Sequence, residues 1–115
     1  MSDLELHAAF ASVTEDDGAR VVAFAASDDP EDGYVFVQQD MADPTAPVYL
    51  EVSDEIFGGY DALEGVSFAD GLITLTIRPD MVMRFGAVAK VLVRWTDATV
   101  DGAEAAAALE AMIAR

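Results

Sequence analysis

Carboxylates are the only side chains in this 115-residue chain abundant enough to suggest chemistry, and their spacing decides what kind. A calcium loop is the first pattern to test. In Ser27 to Gly33 (SDDPEDG), Asp28, Asp32 and Gly33 fall at positions one, five and six of such a loop. Position three is Pro30 and position twelve is Gln39, where a closing carboxylate belongs, so two ligands fail. Asp54 with Glu55, or Glu51 with Asp61, offers the paired carboxylates of a glycosidase, but 22 acids in one short chain make such pairs common by chance. The single histidine, His7, lies on the polar side of an alternating N-terminal stretch, and no Gly-x-Ser-x-Gly elbow supplies a nucleophile for it. There is no cysteine, phosphate-binding glycine loop or His-x-x-x-His pair. The expectation is a protein without catalysis, cofactor or metal.

Charge points instead to association. Residues 1–57 carry 14 acids against one base, Arg20, while residues 58–115 carry 8 against 5, within a formal net charge of −16. At 53% apolar residues the chain is far from a disordered acidic tail. A strongly anionic half repels nucleic acid and anionic membrane and attracts basic surfaces, so the expected partner is a cationic protein. The carboxylates of residues 14–17, 54–55 and the loop bearing Asp28, Asp29, Glu31 and Asp32 would steer the encounter. A salt-loving or generally acidic proteome is the competing origin of the charge. The N-terminal MSDLEL lacks the basic and apolar regions of a signal peptide, and no run approaches 18 apolar residues, so a cytoplasmic protein is expected.

The elements that must position these groups read mostly as strands. Residues 4–13 alternate, with Leu4, Leu6, Ala8 and Phe10 on one side, and residues 14–18 (TEDDG) supply a turn. Residues 20–26 (RVVAFAA) are apolar nearly throughout, as in a strand buried on both faces. Residues 34–39, 48–52, 62–68, 72–78 and 89–96 read as further strands, with Asp70–Gly71 as a hairpin turn. Residues 53–59 (SDEIFGG) read as a loop whose glycines permit a bend, and residues 80–86 fit either a short helical turn or an irregular edge segment. A C-terminal helix follows, with Asp101 and Glu104 as a capping box worth about 1 kcal/mol and Ala105, Leu109, Met112 and Ile113 on its buried stripe. The expected fold is one α+β domain over 1–115: a mostly antiparallel curved sheet of six or seven strands with the helix packed on one face.

One group of residues is more specific. Tyr34-Val35-Phe36-Val37-Gln38-Gln39 gives an aromatic strand ending in glutamines. Val48-Tyr49-Leu50-Glu51-Val52 then leads to Asp54, a Gly58-Gly59-Tyr60 step and the Asp–Gly hairpin. Together these resemble the immunity protein 10 family of bacterial polymorphic toxin systems over roughly residues 20–113. The resemblance implies a protein that binds and neutralises a cognate toxin, with contacts at Tyr34, Gln38, Tyr49, Glu51, Asp54, Gly59 and Tyr60. A basic nuclease would be one fitting target, since its nucleic-acid site must be cationic. The alternative is a non-catalytic homo-oligomeric structural or small-ligand-binding domain, a homodimer for instance, with the sheet edge or Met81, Met83 and Phe85 as its self-contact, unless those three cover the open end of the sheet.

Overall fold

The alternating N-terminal stretch makes two strands in two different sheets. In the computed structural model, which describes residues 2–43 and 45–113, β1 (Ser2–His7) buries Leu6 and β2 (Phe10–Asp16) buries Ala11. Between them the buried phase passes from even to odd positions. Phe10, in phase with Leu4 and Leu6, therefore turns outward and is 44% exposed. The crossing is pinned by Thr99, a buried hydroxyl that donates to the Ala8 carbonyl at 2.7 Å and accepts from the Thr96 amide at 3.0 Å.

Seven more strands follow: β3 (Ala19–Ala25), β4 (Tyr34–Asp40), β5 (Tyr49–Val52), β6 (Asp54–Tyr60), β7 (Leu63–Ala69), β8 (Leu72–Ile77) and β9 (Val88–Arg94). They build two sheets instead of the expected one. The first is ordered β1-β9-β8-β7, with β1 parallel to β9 and the other pairs antiparallel; the second is ordered β2-β3-β4-β5-β6 and wholly antiparallel. One core cluster joins them, from Leu6, Ile73, Leu75, Val91 and Val93 on one side to Val22, Phe24, Val35, Val37 and Leu50 on the other. The fold is α+β and mostly antiparallel, with nine strands among the described residues.

The two Asp–Gly steps make the turns their chemistry favours. Asp17 and Gly18 both take positive φ (51° and 79°), a conformation whose twist suits a two-residue hairpin, so β2 runs on to Asp16 before turning. Asp70–Gly71 joins β7 to β8, with Ala69 opposite Leu72 and Gly71 at φ 74°.

Residues 53–59 are not a loop. Ser53 adopts φ 62°, Val52 pairs with Asp54 across a bulge, and β6 then returns along β5. Gly58 and Gly59 lie buried within that strand and are not bend residues. The 80–86 stretch forms a 3₁₀ helix (Pro79–Phe85) that buries Val82 and Phe85 and lays Met81 and Arg84 against Gly59. Of Met81, Met83 and Phe85 only Met83, 79% exposed, projects from it, so the three do not form the self-contact surface of the alternative reading.

Helix α1 (Gly102–Ile113) packs on β2 and β3 and buries Ala105, Leu109 and Met112, with Ile113 half-buried. The capping box is absent. Asp101 sits at φ 56°, outside the extended region an N-cap needs, and only its backbone carbonyl serves the helix, accepting from Ala105 at 3.0 Å.

Candidate functional site

Strand pleating sends alternate residues of the five-stranded sheet to opposite sides. Val35 and Val37 of β4 and Leu50 and Val52 of β5 enter the core, so Tyr34, Phe36, Gln38, Tyr49 and Glu51 face outward together. Register aligns them across strands. Phe36 lies opposite Glu51 and Glu51 opposite Gly58; Gln38 lies opposite Tyr49 and Tyr49 opposite Tyr60. On the other flank, Ala23 stands beside Phe36 and Val21 beside Gln38.

Four rings follow one another along this face. Tyr34 stacks on Phe36 (centroids 6.2 Å apart, planes 9° apart), Phe36 meets Tyr49 at 5.8 Å, and Tyr49 meets Tyr60 at 5.1 Å in tilted geometry. Such pairs each contribute about 0.5–1.5 kcal/mol beyond their buried area. Glycine makes the arrangement fit: a Cβ at Gly58 would collide with the Tyr49 hydroxyl, so the ring occupies the space a side chain would take.

Glu51 sits among the rings. Its Oε2 accepts from the Tyr34 hydroxyl at 2.6 Å and its Oε1 from the Tyr49 hydroxyl at 2.8 Å. Burial, then the bond to Glu51, raises the Tyr34 phenol well above its usual pKa. For Tyr49 the bond to Glu51 leads and burial follows, and the phenol is pushed up to about 12. Both phenols therefore stay protonated donors over the ordinary pH range. Among the described residues no arginine, lysine or histidine forms an ion pair with Glu51.

Carboxylates rim both ends of the face. Glu31, Asp54 and Glu55 border a shallow concavity of about 360 Å3 beside Tyr34 and Glu51. At the other end Asp17 and Asp40 border a second, beside Gln38 and Tyr60. The strongly acidic half of the sequence thus supplies nearly all of this sheet. Arg20, its one base, is held by Glu15 at 2.8 Å.

The structure brings together Tyr34, Gln38, Tyr49, Glu51 and Tyr60, with Asp54 and Glu31 at the margin. It does not bring in Gly59, which is buried against Met81 and Arg84 on the opposite side of β6. Asp28, Asp29 and Asp32 stay in their exposed loop, where Asp29 accepts from the Glu31 amide at 3.0 Å and Asp32 from the Ser27 hydroxyl at 2.6 Å. Sequence reasoning passed over Phe36, the hinge of the ring series, and the small floor beside it, Val21, Ala23 and Ala25. The apolar run of residues 20–26 predicts burial on both faces, yet only Val22 and Phe24 are buried, and among the described residues no layer covers the other side. An apolar run with too few elements to cover both its sides was the available signal.

His7 is exposed and hydrogen-bonded to Glu5 at 2.7 Å, and Asp61 is paired to Arg78 at 2.7 Å instead of converging with Glu51. Among the described residues no group of three or more His, Cys, Asp or Glu is placed to hold a metal ion, and no helix is long and apolar enough to cross a membrane. Comparison with known proteins returns no match, either to a protein-family model or to a curated protein.

Proposed function

We propose that this chain is a non-catalytic immunity protein that neutralises a cognate bacterial toxin in the cytoplasm by covering it with the outer face of the five-stranded sheet. The observation that carries the reading is that face: four rings in succession that no element covers among the described residues, around one carboxylate that no cation of those residues pairs, and between acidic margins. Partly exposed aromatic groups with a firm backbone behind them are the anchors of protein interfaces, while rim charges set the rate of encounter. The resemblance to the immunity protein 10 family supports the same reading, because Tyr34, Gln38, Tyr49, Glu51 and Tyr60, quoted for it from the sequence, share this face. A nucleic acid or an anionic membrane would meet like charge here; a toxin with a basic surface would not.

Self-association through this face is disfavoured by the same electrostatics, since two copies would bring acidic rims together. The test is co-expression with a toxin encoded beside this chain. Cells carrying both are expected to survive, and Tyr49→Ala or Tyr60→Ala is expected to weaken protection. Death at an equal rate with and without this chain would refute the proposal.

A further inference from the structure

We infer that the partner group received at the centre of this face is an arginine side chain, its guanidinium set on Glu51 among the rings of Tyr34, Phe36 and Tyr49. The inference rests on the reading of this face as a protein-binding surface and names the chemistry that the surface selects.

Glu51 is the one charged residue in the two central rows of the face, between neutral neighbours Phe36 and Gly58 in its own row and Gln38, Tyr49 and Tyr60 in the next. It is half-buried, and its charge is met by two phenols and by no cation among the described residues. Hydrogen bonds satisfy lone pairs but do not neutralise charge. In a chain of net charge −16, a cation brought by a partner relieves a repulsion that free protein must tolerate.

The geometry prefers one cation over the other. Each phenol takes a different carboxylate oxygen, which fixes the carboxylate plane and leaves acceptor capacity on both oxygens. Two parallel acceptors with a fixed plane match the planar fork of a guanidinium, whereas an ammonium meets them only as a point charge. The rings beside Glu51 add faces on which a guanidinium stacks, and arginine uses such faces more often than lysine. A second copy meeting this one face to face is a poor occupant, because the same rows of its own face hold no base.

The test uses the intact chain and two small probes, N-acetyl-arginine methylamide and N-acetyl-lysine methylamide, followed by residue-resolved NMR. The arginine probe is expected to shift Tyr34, Glu51 and Tyr49 together, and to bind at least about threefold more tightly than the lysine probe. Glu51→Gln is expected to bring the arginine response down to the lysine level while the melting curve shows a folded protein. Equal response to both probes would overturn the inference, as would shifts that follow Asp28, Asp29 and Asp32 in place of Glu51. Shifts on this face that grow with protein concentration and no probe would also overturn it, by assigning the face to self-association. Should Glu51→Gln fail to fold, the comparison of the two probes on the unaltered protein decides alone. Arginine selectivity together with failure to protect cells would keep this inference and sink the toxin reading. Protection without arginine selectivity would do the reverse.

Discussion

Replacing Gly58 by alanine tests whether the Tyr49 ring is held where the site needs it. The new methyl group would overlap the Tyr49 hydroxyl and stand 2.9 Å from its Cζ, so the ring must swing off β6. That movement breaks the 2.8 Å bond to Glu51, a hydrogen bond to a charged group worth about 1.5–3 kcal/mol. It also disturbs the contacts with Phe36 and Tyr60, at about 0.5–1.5 kcal/mol each when fully lost. Alanine returns about 0.5–1 kcal/mol, because glycine within a strand loses more backbone freedom on folding. With partial relaxation the net loss should be about 1–3 kcal/mol, or several degrees in Tm for a domain of this size.

Denaturant titration measures the change, and spectrophotometric titration of the tyrosines should show the phenol near 12 moving toward its ordinary value. The sharper check is a double-mutant cycle. In a Tyr49→Ala background the collision partner is gone, so Gly58→Ala should become nearly neutral or stabilising, leaving a coupling of about 1–3 kcal/mol. The 3.3 Å approach of the new methyl to the Glu55 carbonyl remains in both backgrounds and cancels from the cycle. Additive effects, or an unchanged Tyr49 titration in the single variant, would show that Gly58 does not seat the ring.

Three further outcomes are expected. Because Tyr34 and Tyr49 bind their protons more tightly folded than unfolded, their contribution should be intact below about pH 10 and decline above it, that of Tyr49 being lost as pH rises through about 12 and that of Tyr34 still declining beyond; denaturation at rising pH should show the fall, and a Tyr34→Phe, Tyr49→Phe double variant should flatten it. Thr99→Val should cost about 1–3 kcal/mol by leaving the Ala8 carbonyl and Thr96 amide without their partner, read from chemical denaturation; a change below about 0.5 kcal/mol would mean that the β1–β2 crossing does not depend on it. Converting Asp28, Asp29, Glu31 and Asp32 to their amides should slow association with a basic toxin by about tenfold at low salt and change dissociation little, measured by stopped flow at several ionic strengths; an unchanged, salt-independent rate would remove the steering role.

The elements that were legible in the sequence are those whose signal is local. The Asp17–Gly18 and Asp70–Gly71 turns follow from backbone angles that glycine and aspartate tolerate, and the apolar stripe of α1 follows from its 3,4 spacing. Charge asymmetry was equally visible, because it needs no coordinates. Alternation, by contrast, reports a period but not which phase faces inward. Alternation alone therefore puts Phe10 with Leu4 and Leu6 although the inward phase changes between β1 and β2, and an apolar run implies two buried faces for residues 20–26 although only one is covered. Residues 53–59 looked like a loop because glycine is weak in strands on its own account. Gly58 is tolerated there because the Tyr49 ring fills its space, a fact about another strand. The site is of the same kind. Tyr34 and Glu51 are 17 residues apart, and only the β4–β5 register and the outward phase of both strands set a phenol on that carboxylate. The chain by itself determined that it would be acidic, mostly strand, and closed by a helix. Which carboxylate would be ringed by aromatic groups was left to tertiary pairing, because contacts across strands are chosen by whatever the opposite faces bury.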